Sequence, residues 1–455
     1  MTGFYPPKPD PTPKKLSPIT RFLRGRHNAL SIMYNNSYEM KLGEVRAPHR
    51  RFYFPNDYNL VENILKFPAR FPKSDLMGSL LGQLLGQSIF VTNGDLWEAQ
   101  RRMMAPAFEQ ARITTTFQKM VDASLAMVER MKANTDGEPY IIDSEMAFVT
   151  ADIIFRTIYS REMTKEDSNI IFTAFTTYQE LAYAHGMWTM AGIPQLLSIP
   201  RIRAKPHART VRKLLAKHVA SRLQAVKEGQ EFDDILSSLL DAEDAETGRK
   251  FSEEELVDQV GIMFLAGHET TASALSWSLY LMSHTPEVVE KMTKEADNFW
   301  ENGAKFSNLK LLKYTRDVFR EAMRLYPPVP ILPRDSVQKE FVLDRDVEKG
   351  SVLFVCPWLI HRQRGIWKDP DMFRPERFSD PEEARNVKQE YLPFSRGPRV
   401  CLVASFALQE GVIILSAILR HYNISVVEEH VPEPVARLTL RPLNGIAIRL
   451  TPRSV

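Results

Sequence analysis

Cysteine is almost absent from this chain: Cys356 and Cys401 are the only two in 455 residues. Two cysteines make no disulfide framework, so the chain suits a reducing cytoplasm and each sulfur needs its own explanation. Long apolar runs are missing as well. No window approaches the roughly 20 residues of a membrane helix, and the N-terminal MTGFYPPKPDPTPKK has no apolar signal-peptide core. A charge excess is also lacking, since 59 basic residues against 56 acidic leave +3, which gives no case for nucleic acid. There is no internal repeat and no Ser/Gly-rich linker, and the histidines have no metal-ligand spacing. These absences predict one cytoplasmic domain over 21–455, monomeric and without a transmembrane anchor. Before it runs an extended, loosely ordered Pro-rich segment over 1–20.

Most of what is present reads as helix. Helices are expected over 112–133 and, with a basic face, over 203–228. Short strands are expected near 43–54, 329–343, 351–356 and 423–450, and DAEDAETGRK (241–250) is a polar loop. The clearest helix starts at the capping box Ser252-Glu253-Glu254-Glu255. It continues, apolar, to about His284, ahead of Pro286. At 1.5 Å per residue it would run roughly 45–50 Å through the protein's centre. Gly261 and Gly267 lie inside it, each costing about 1 kcal/mol relative to alanine, so a packing or functional reason is expected. A second helix near 314–326 stops at Pro327-Pro328, and a last one covers roughly 402–420.

One constellation decides the reading. In Phe394-Ser-Arg-Gly397-Pro-Arg399-Val-Cys401, the cysteine stands at the start of the last helix, where backbone amides favour thiolate over thiol. Gly397 supplies a tight turn, and Arg399 can hold a carboxylate. A lone cysteine is more often a small buried hydrophobe, which is the reading given to Cys356. Phe, Gly, Arg and Cys at this spacing would arise by chance in on the order of one such chain in a thousand.

FSRGPRVC resembles the cysteine loop of the cytochrome P450 family, and the likeness extends from about Trp97 to Pro452. The resemblance implies a mainly α fold with small β-sheets and a long central helix over a buried haem b. Cys401 would ligate the iron, with Phe394 beside the sulfur. Trp97, Arg101, Arg334 and Arg399 would bind the haem propionates, and Ala266 would face the haem. Val403 departs from the family, which carries a small residue there, so crowding of the haem is expected.

Supporting motifs fall into place around it. Glu321-Ala-Met-Arg324 matches the family's E-x-x-R. The same spacing recurs at Glu98/Arg101, Glu246/Arg249 and Glu382/Arg385, so only its context before Pro327-Pro328 and the PERF of 375–378 selects it. The resemblance makes Glu321, Arg324 and Arg377 a buried structural triad. Ala266-Gly-His-Glu269-Thr270-Thr271 resembles the oxygen-activation motif, with Glu269 relaying protons and the Thr270 hydroxyl bonding the distal oxygen. The helix would open locally there. A zinc-protease reading of His268-Glu269 fails, because position 272 is alanine.

The implied activity is a monooxygenase inserting one oxygen atom of O2 into a lipophilic small molecule. Ala266, Gly267, Val329 and 438–440 would line the pocket, with Leu80, Leu81, Leu84, Leu85 and Phe90 at its entrance. Electrons would come from a separate acidic ferredoxin or flavin protein, drawn to a patch of Arg102, Arg112 and Arg396. Two other classes remain: a peroxide-using relative, against which the Glu269-Thr270 pair argues, and a non-catalytic haem binder, which Val403 favours.

Overall fold

A computed structural model describes residues 3–13, 16–47 and 49–454, without the side chains of 18 and 110–113. The helices in chain order are α1 (Pro18–Gly25), α2 (Tyr58–Lys66), α3 (Asp75–Leu85), α4 (Gly94–Met104), α5 (Gln110–Met131), α6 (Asp143–Tyr159), α7 (Lys165–Met190) and α8 (Ile199–Lys227). They continue as α9 (Ile235–Asp241), α10 (Glu253–Ser283), α11 (Pro286–Glu301), α12 (Lys313–Leu325), α13 (Pro357–Ile360), α14 (Ala384–Glu390) and α15 (Ala404–His421).

The 31-residue α10 is the axis of the fold, buried along nearly its whole length. Its start is the capping box read from the sequence: Ser252 Oγ accepts from the Glu255 amide, and Glu255 accepts from the Ser252 amide. Around α10 pack α6, α8, α12 and α15. Gly267 explains itself here, because a Cβ would lie 2.6 Å from Ile154 Cδ1 on α6. The glycine is needed for helix approach. The expected local opening is not seen: α10 is helical without a break from Glu253 to Ser283.

The strands form small sheets at the rim. One has the order β1 (Leu42–Arg46), β2 (Arg51–Pro55), β7 (Val352–Val355), β4 (Leu332–Asp335). Another joins β3 (Pro139–Ile141), β11 (Ala447–Pro452) and β8 (Tyr422–Val426), and two hairpins pair β5 (Glu340–Val342) with β6 (Arg345–Val347) and β9 (Pro434–Ala436) with β10 (Leu440–Pro442). The three-residue strands β3 and β6 were not expected, since neither carries an alternating pattern long enough to read.

The described residues of the Pro-rich lead-in pack on the rest of the chain. Phe4 pairs with Phe373 and stacks on His284 at 4.5 Å, Tyr326 donates to the Pro7 carbonyl, and Lys8 pairs with Asp371. Among the described residues no helix is long and apolar enough to cross a membrane.

Candidate functional site

The cysteine loop folds over a few bonds. Gly397 has φ +74°, and a Cβ there would sit 2.5 Å from the Leu65 carbonyl oxygen of α2. Only glycine meets both demands. The Val400 amide donates to the Gly397 carbonyl and the Cys401 amide to the Phe394 carbonyl at 2.9 Å, which closes the loop. Cys401 precedes α15 by three residues rather than opening it. Its surroundings also differ from the expected thiolate-favouring helix start: burial pushes the thiol up, against the Val403 amide and Arg101, which favour the thiolate. Val403 is the N-cap of α15 at φ −105°, a backbone any residue adopts. Its departure from the family is therefore one of side-chain bulk alone.

Beneath the loop lies a closed ion cluster. Arg324 Nε donates to Glu321 Oε2 at 2.7 Å, Arg377 Nε donates to Glu321 Oε1 at 2.9 Å, and Arg377 Nη1 donates to Glu383 at 3.0 Å. Glu321, Arg324 and Arg377 are all fully buried. His361, unread in the sequence, ties this cluster to the loop. One ring nitrogen pairs with the Arg324 carbonyl, while Nε2 accepts from the Leu392 amide at 2.8 Å. Burial lowers its pKa to about 3, so the ring is neutral.

Above the loop is a cavity of about 330 Å³, within the range of small-molecule sites. Four cations line its edge, and each donates only to neutral oxygens. Arg101 Nη1 donates to the Val400 carbonyl, Arg334 Nη1 to the Pro333 carbonyl, Arg399 to the Thr92 carbonyl and Asn93 Oδ1, and Lys73 Nζ to the Ile89 carbonyl at 2.6 Å. None has an ion-pair partner among the described residues. Arg399 also lies 4.1 Å over the Trp97 ring, and its Nε is buried without a partner. Burial lowers the pKa of Arg334 and Arg399 to about 10 each; for Arg399 the repulsion of Arg334 adds to this, while Glu98 opposes it. Lys73 is driven well down by burial and by Arg399, Arg334 and Arg101 together. Lys73 is a lone lysine outside any motif and carries no signal in the sequence.

On the opposite wall α10 presents Ala266, Gly267, Glu269 and Thr270. Thr270 Oγ1 donates to the Ala266 carbonyl at 2.5 Å, so its oxygen can accept a further hydrogen bond. Glu269 is buried and held by Gln179, Thr439 and Arg441. His268 instead lies among Phe172, Phe175 and Phe264, its pKa lowered to about 4 by burial. Leu81, Leu84, Leu85, Phe90, Val329, Leu438 and Thr439 line the cavity as expected. Two expected residues do not: Leu80 packs toward Gly186 of α7, and Leu440 is in the core with its carbonyl accepting from Ser273. Phe175 and Gln179 of α7 and Glu410 of α15 join the lining, unforeseen because only tertiary packing brings α7 and α15 there. Both Glu410 oxygens are buried without a partner, and burial raises its carboxyl well above the usual range.

The family model for Cytochrome P450 matches residues 10–448. The chain belongs to the cytochrome P450 family. A cytokinin hydroxylase of Arabidopsis thaliana is 30% identical over 371 residues, covering 80% of this chain and 71% of that protein. A cyclooctatin synthase of Streptomyces melanosporofaciens is 29% identical, covering 89% and 88%. The crystal structure of the cytochrome P450DA heme domain superposes with a TM-score of 0.79 at 24% identity, covering 91% of this chain and 90% of that one.

The P450 cofactor is haem, and this cavity fits it. Haem brings two carboxylates and an iron that takes a thiolate. The site offers four cations with no acidic partner at one edge, an orphaned guanidinium N–H, and a cysteine at the floor.

The P450 docking patch expected at Arg102, Arg112 and Arg396 is only partly present. Arg102 donates to both Asp244 oxygens, at 2.7 and 3.1 Å, and pairs with Glu246 at 3.2 Å, so its charge is already balanced. Arg112 lies outside the described side chains. Arg396 is half-buried, its guanidinium 5.4 Å over the Tyr58 ring and donating to the Lys388 carbonyl, with no ion-pair partner among the described residues.

Proposed function

We propose that this P450 monooxygenase hydroxylates a lipophilic small molecule: RH + O2 + two electrons + two protons give ROH + H2O. The observation that carries the reading is the convergence of Cys401 and four unpaired cations on one largely apolar cavity. Haem bound there supplies dioxygen binding and activation. Cys401 is the iron ligand and Phe394 packs beside it. Arg101, Arg334, Arg399 and Lys73 hold the propionates, with Trp97 stacked under Arg399.

Phe90, Phe175, Ala266, Val329 and Leu438 offer the substrate an apolar surface that excludes water. The Thr270 hydroxyl, oriented by its bond to the Ala266 carbonyl, would keep its oxygen open to accept a hydrogen bond within the cavity, where bound haem would activate dioxygen. Glu269 carries protons to that position, and with Arg441 on its carboxylate this requires the ion pair to open. The hydroxylase among the relatives supports this chemistry, and the carboxylate-threonine pair disfavours peroxide use. The electron donor is a separate acidic protein that meets Arg396 near the cysteine loop, with the protein itself cytoplasmic and monomeric.

Thr270→Ala tests the reading. Haem and substrate binding should persist while electrons divert to hydrogen peroxide, measured as product formed per reducing equivalent. Full coupling in that variant would contradict the role given to Thr270.

A further inference from the structure

Away from the cation edge and its Trp97, few polar side chains line the cavity. Beside Glu269, Thr270 and Thr271 of α10 they are Gln179, Thr439, Ser395 and Glu410. Ser395 and Glu410 belong to the cysteine loop and to α15, on the Cys401 side. Gln179 of α7 and Thr439, just before β10, stand together instead, joined through Glu269. Gln179 Nε2 donates to Glu269 Oε2, and Thr439 Oγ1 donates to Glu269 Oε1, which also pairs with Arg441. Helix α7, helix α10 and the β9–β10 hairpin thus meet at a single carboxylate.

That carboxylate fixes the amide. It accepts hydrogen bonds, so the NH2 end of Gln179 turns to it and the carbonyl end is left over. Among the described residues no donor reaches Gln179 Oε1. The residue is only 7% exposed, yet this oxygen is not closed off, and the space that Gln179 lines is the cavity. Thr439 gives its one hydrogen to Glu269, so its oxygen is left as a second acceptor. Phe175, one turn before Gln179 on α7, and Leu438, next to Thr439, line the same cavity. A ligand that displaces water from such a spot and brings no donor leaves the acceptors unpaired, which costs more than a hydrogen bond contributes.

We propose that the substrate is a lipophilic alcohol whose hydroxyl donates to Gln179 Oε1, with Thr439 beside it as the second acceptor. The proposal rests on the reading of this cavity as a haem-loaded monooxygenase site. Charge and hydrogen-bond direction sort the alternatives. A ketone or an ether brings only acceptors to a place that already holds two. A carboxylate would face Glu269. An ammonium ion would come to lie beside Arg441 and carry its charge into an apolar wall. A hydroxyl is neutral, donates to Oε1 and can accept from the second N–H of Gln179. It is a handle, distinct from the carbon that is oxidised, and the product is then a diol.

The test is titration of the haem-loaded protein with two matched series, adamantane, adamantanol and adamantyl methyl ether, and dodecane, dodecanol and dodecyl methyl ether. Binding is read as the ligand-induced shift of the ferric haem band. One skeleton is compact and the other extended. In at least one of them the alcohol should bind at least about tenfold more tightly than its ether. Gln179→Met should remove most of that preference and leave the Kd of the hydrocarbon within about twofold, while Thr439→Val should lower the preference by roughly threefold. A merely structural role for Gln179 would move alcohol and hydrocarbon together. Alcohols that bind no better than their ethers in both series, or not at all, overturn the proposal, as does a preference that survives in both variants. The reduced carbon monoxide band is recorded on the same samples. Its absence in the wild type would overturn the haem-thiolate reading itself, whereas an intact band with indifferent titrations overturns the alcohol assignment alone.

Discussion

Two groups of arginines lie on either side of the cysteine loop, and they are resolved in opposite ways. Below it, Arg324 and Arg377 share the carboxylate of Glu321, with Glu383 completing the set, and all the charge is satisfied within the protein. Above it, Arg334 and Arg399, with Arg101 and Lys73, find only carbonyls and an amide oxygen. Burying an unpaired charge costs several kcal/mol. Here one buried cation, Arg334, and three half-buried ones lie side by side without an acid, as befits a place where a ligand brings the missing anion. The paired cluster is scaffold, and the unpaired one is a site.

Breaking the paired cluster should have the largest effect. Glu321→Gln leaves the buried Arg324 guanidinium without its counter-ion and Arg377 with Glu383 alone, a loss of about 3–5 kcal/mol. It should appear as a collapse of the denaturant midpoint whether or not haem is bound. An unchanged midpoint would mean that the cluster is not the scaffold.

The unpaired cluster should answer with opposite signs in the two states. Arg334→Met removes a buried cation that has no partner in the protein alone, so the melting temperature without haem should hold or rise. In the loaded protein, on the role proposed for Arg334, it would remove a propionate contact worth about 1.5–3 kcal/mol. Haem loss to an acceptor globin should quicken by at least about tenfold. Equal haem loss in variant and wild type would remove Arg334 from the site.

The link between the two regions is sensitive to acid. His361 is lowered from 6.5 to about 3 by burial first and by Arg324 second, and His268 to about 4 by burial. Their folded pKa values are depressed, so the unfolded chain binds more protons. Their contribution is complete above pH 6.5 and is lost as pH falls toward 4, at about 1.4 kcal/mol per pH unit for each ring. His361→Gln should flatten the acid limb of the stability curve, measured by denaturant unfolding between pH 7 and pH 4. A parallel curve would contradict the neutral-ring assignment.

The contrast also marks what could be read before folding. The cysteine loop is local: Phe394, Gly397 and Arg399 act within seven residues of Cys401, so their spacing carried the site. The capping box of α10 was legible for the same reason. Glu321 could be picked from several E-x-x-R matches only through the prolines and PERF that follow. What escaped depends on distant packing. Lys73 reaches the cavity edge from the turn before α3, His361 joins two segments that lie 37 residues before it and 31 after it, and Glu410 turns inward from α15. Arg102 looked free until Asp244, 142 residues away, came to lie against it. Leu80 was expected at the cavity entrance with the rest of the apolar 76–90 segment, and apolar character alone does not tell a core from a pocket.

The central claim is that the cavity between these two clusters holds haem through Cys401. The most direct measurement is the absorption spectrum of the reduced carbon monoxide complex in the wild type, Cys401→Ser and Cys356→Ser. Cys356 is fully buried, its thiol raised by burial and donating to the Phe354 carbonyl. The account predicts the red-shifted band of a thiolate-ligated haem in the wild type and in Cys356→Ser, and its loss in Cys401→Ser. Survival of that band in Cys401→Ser would contradict it.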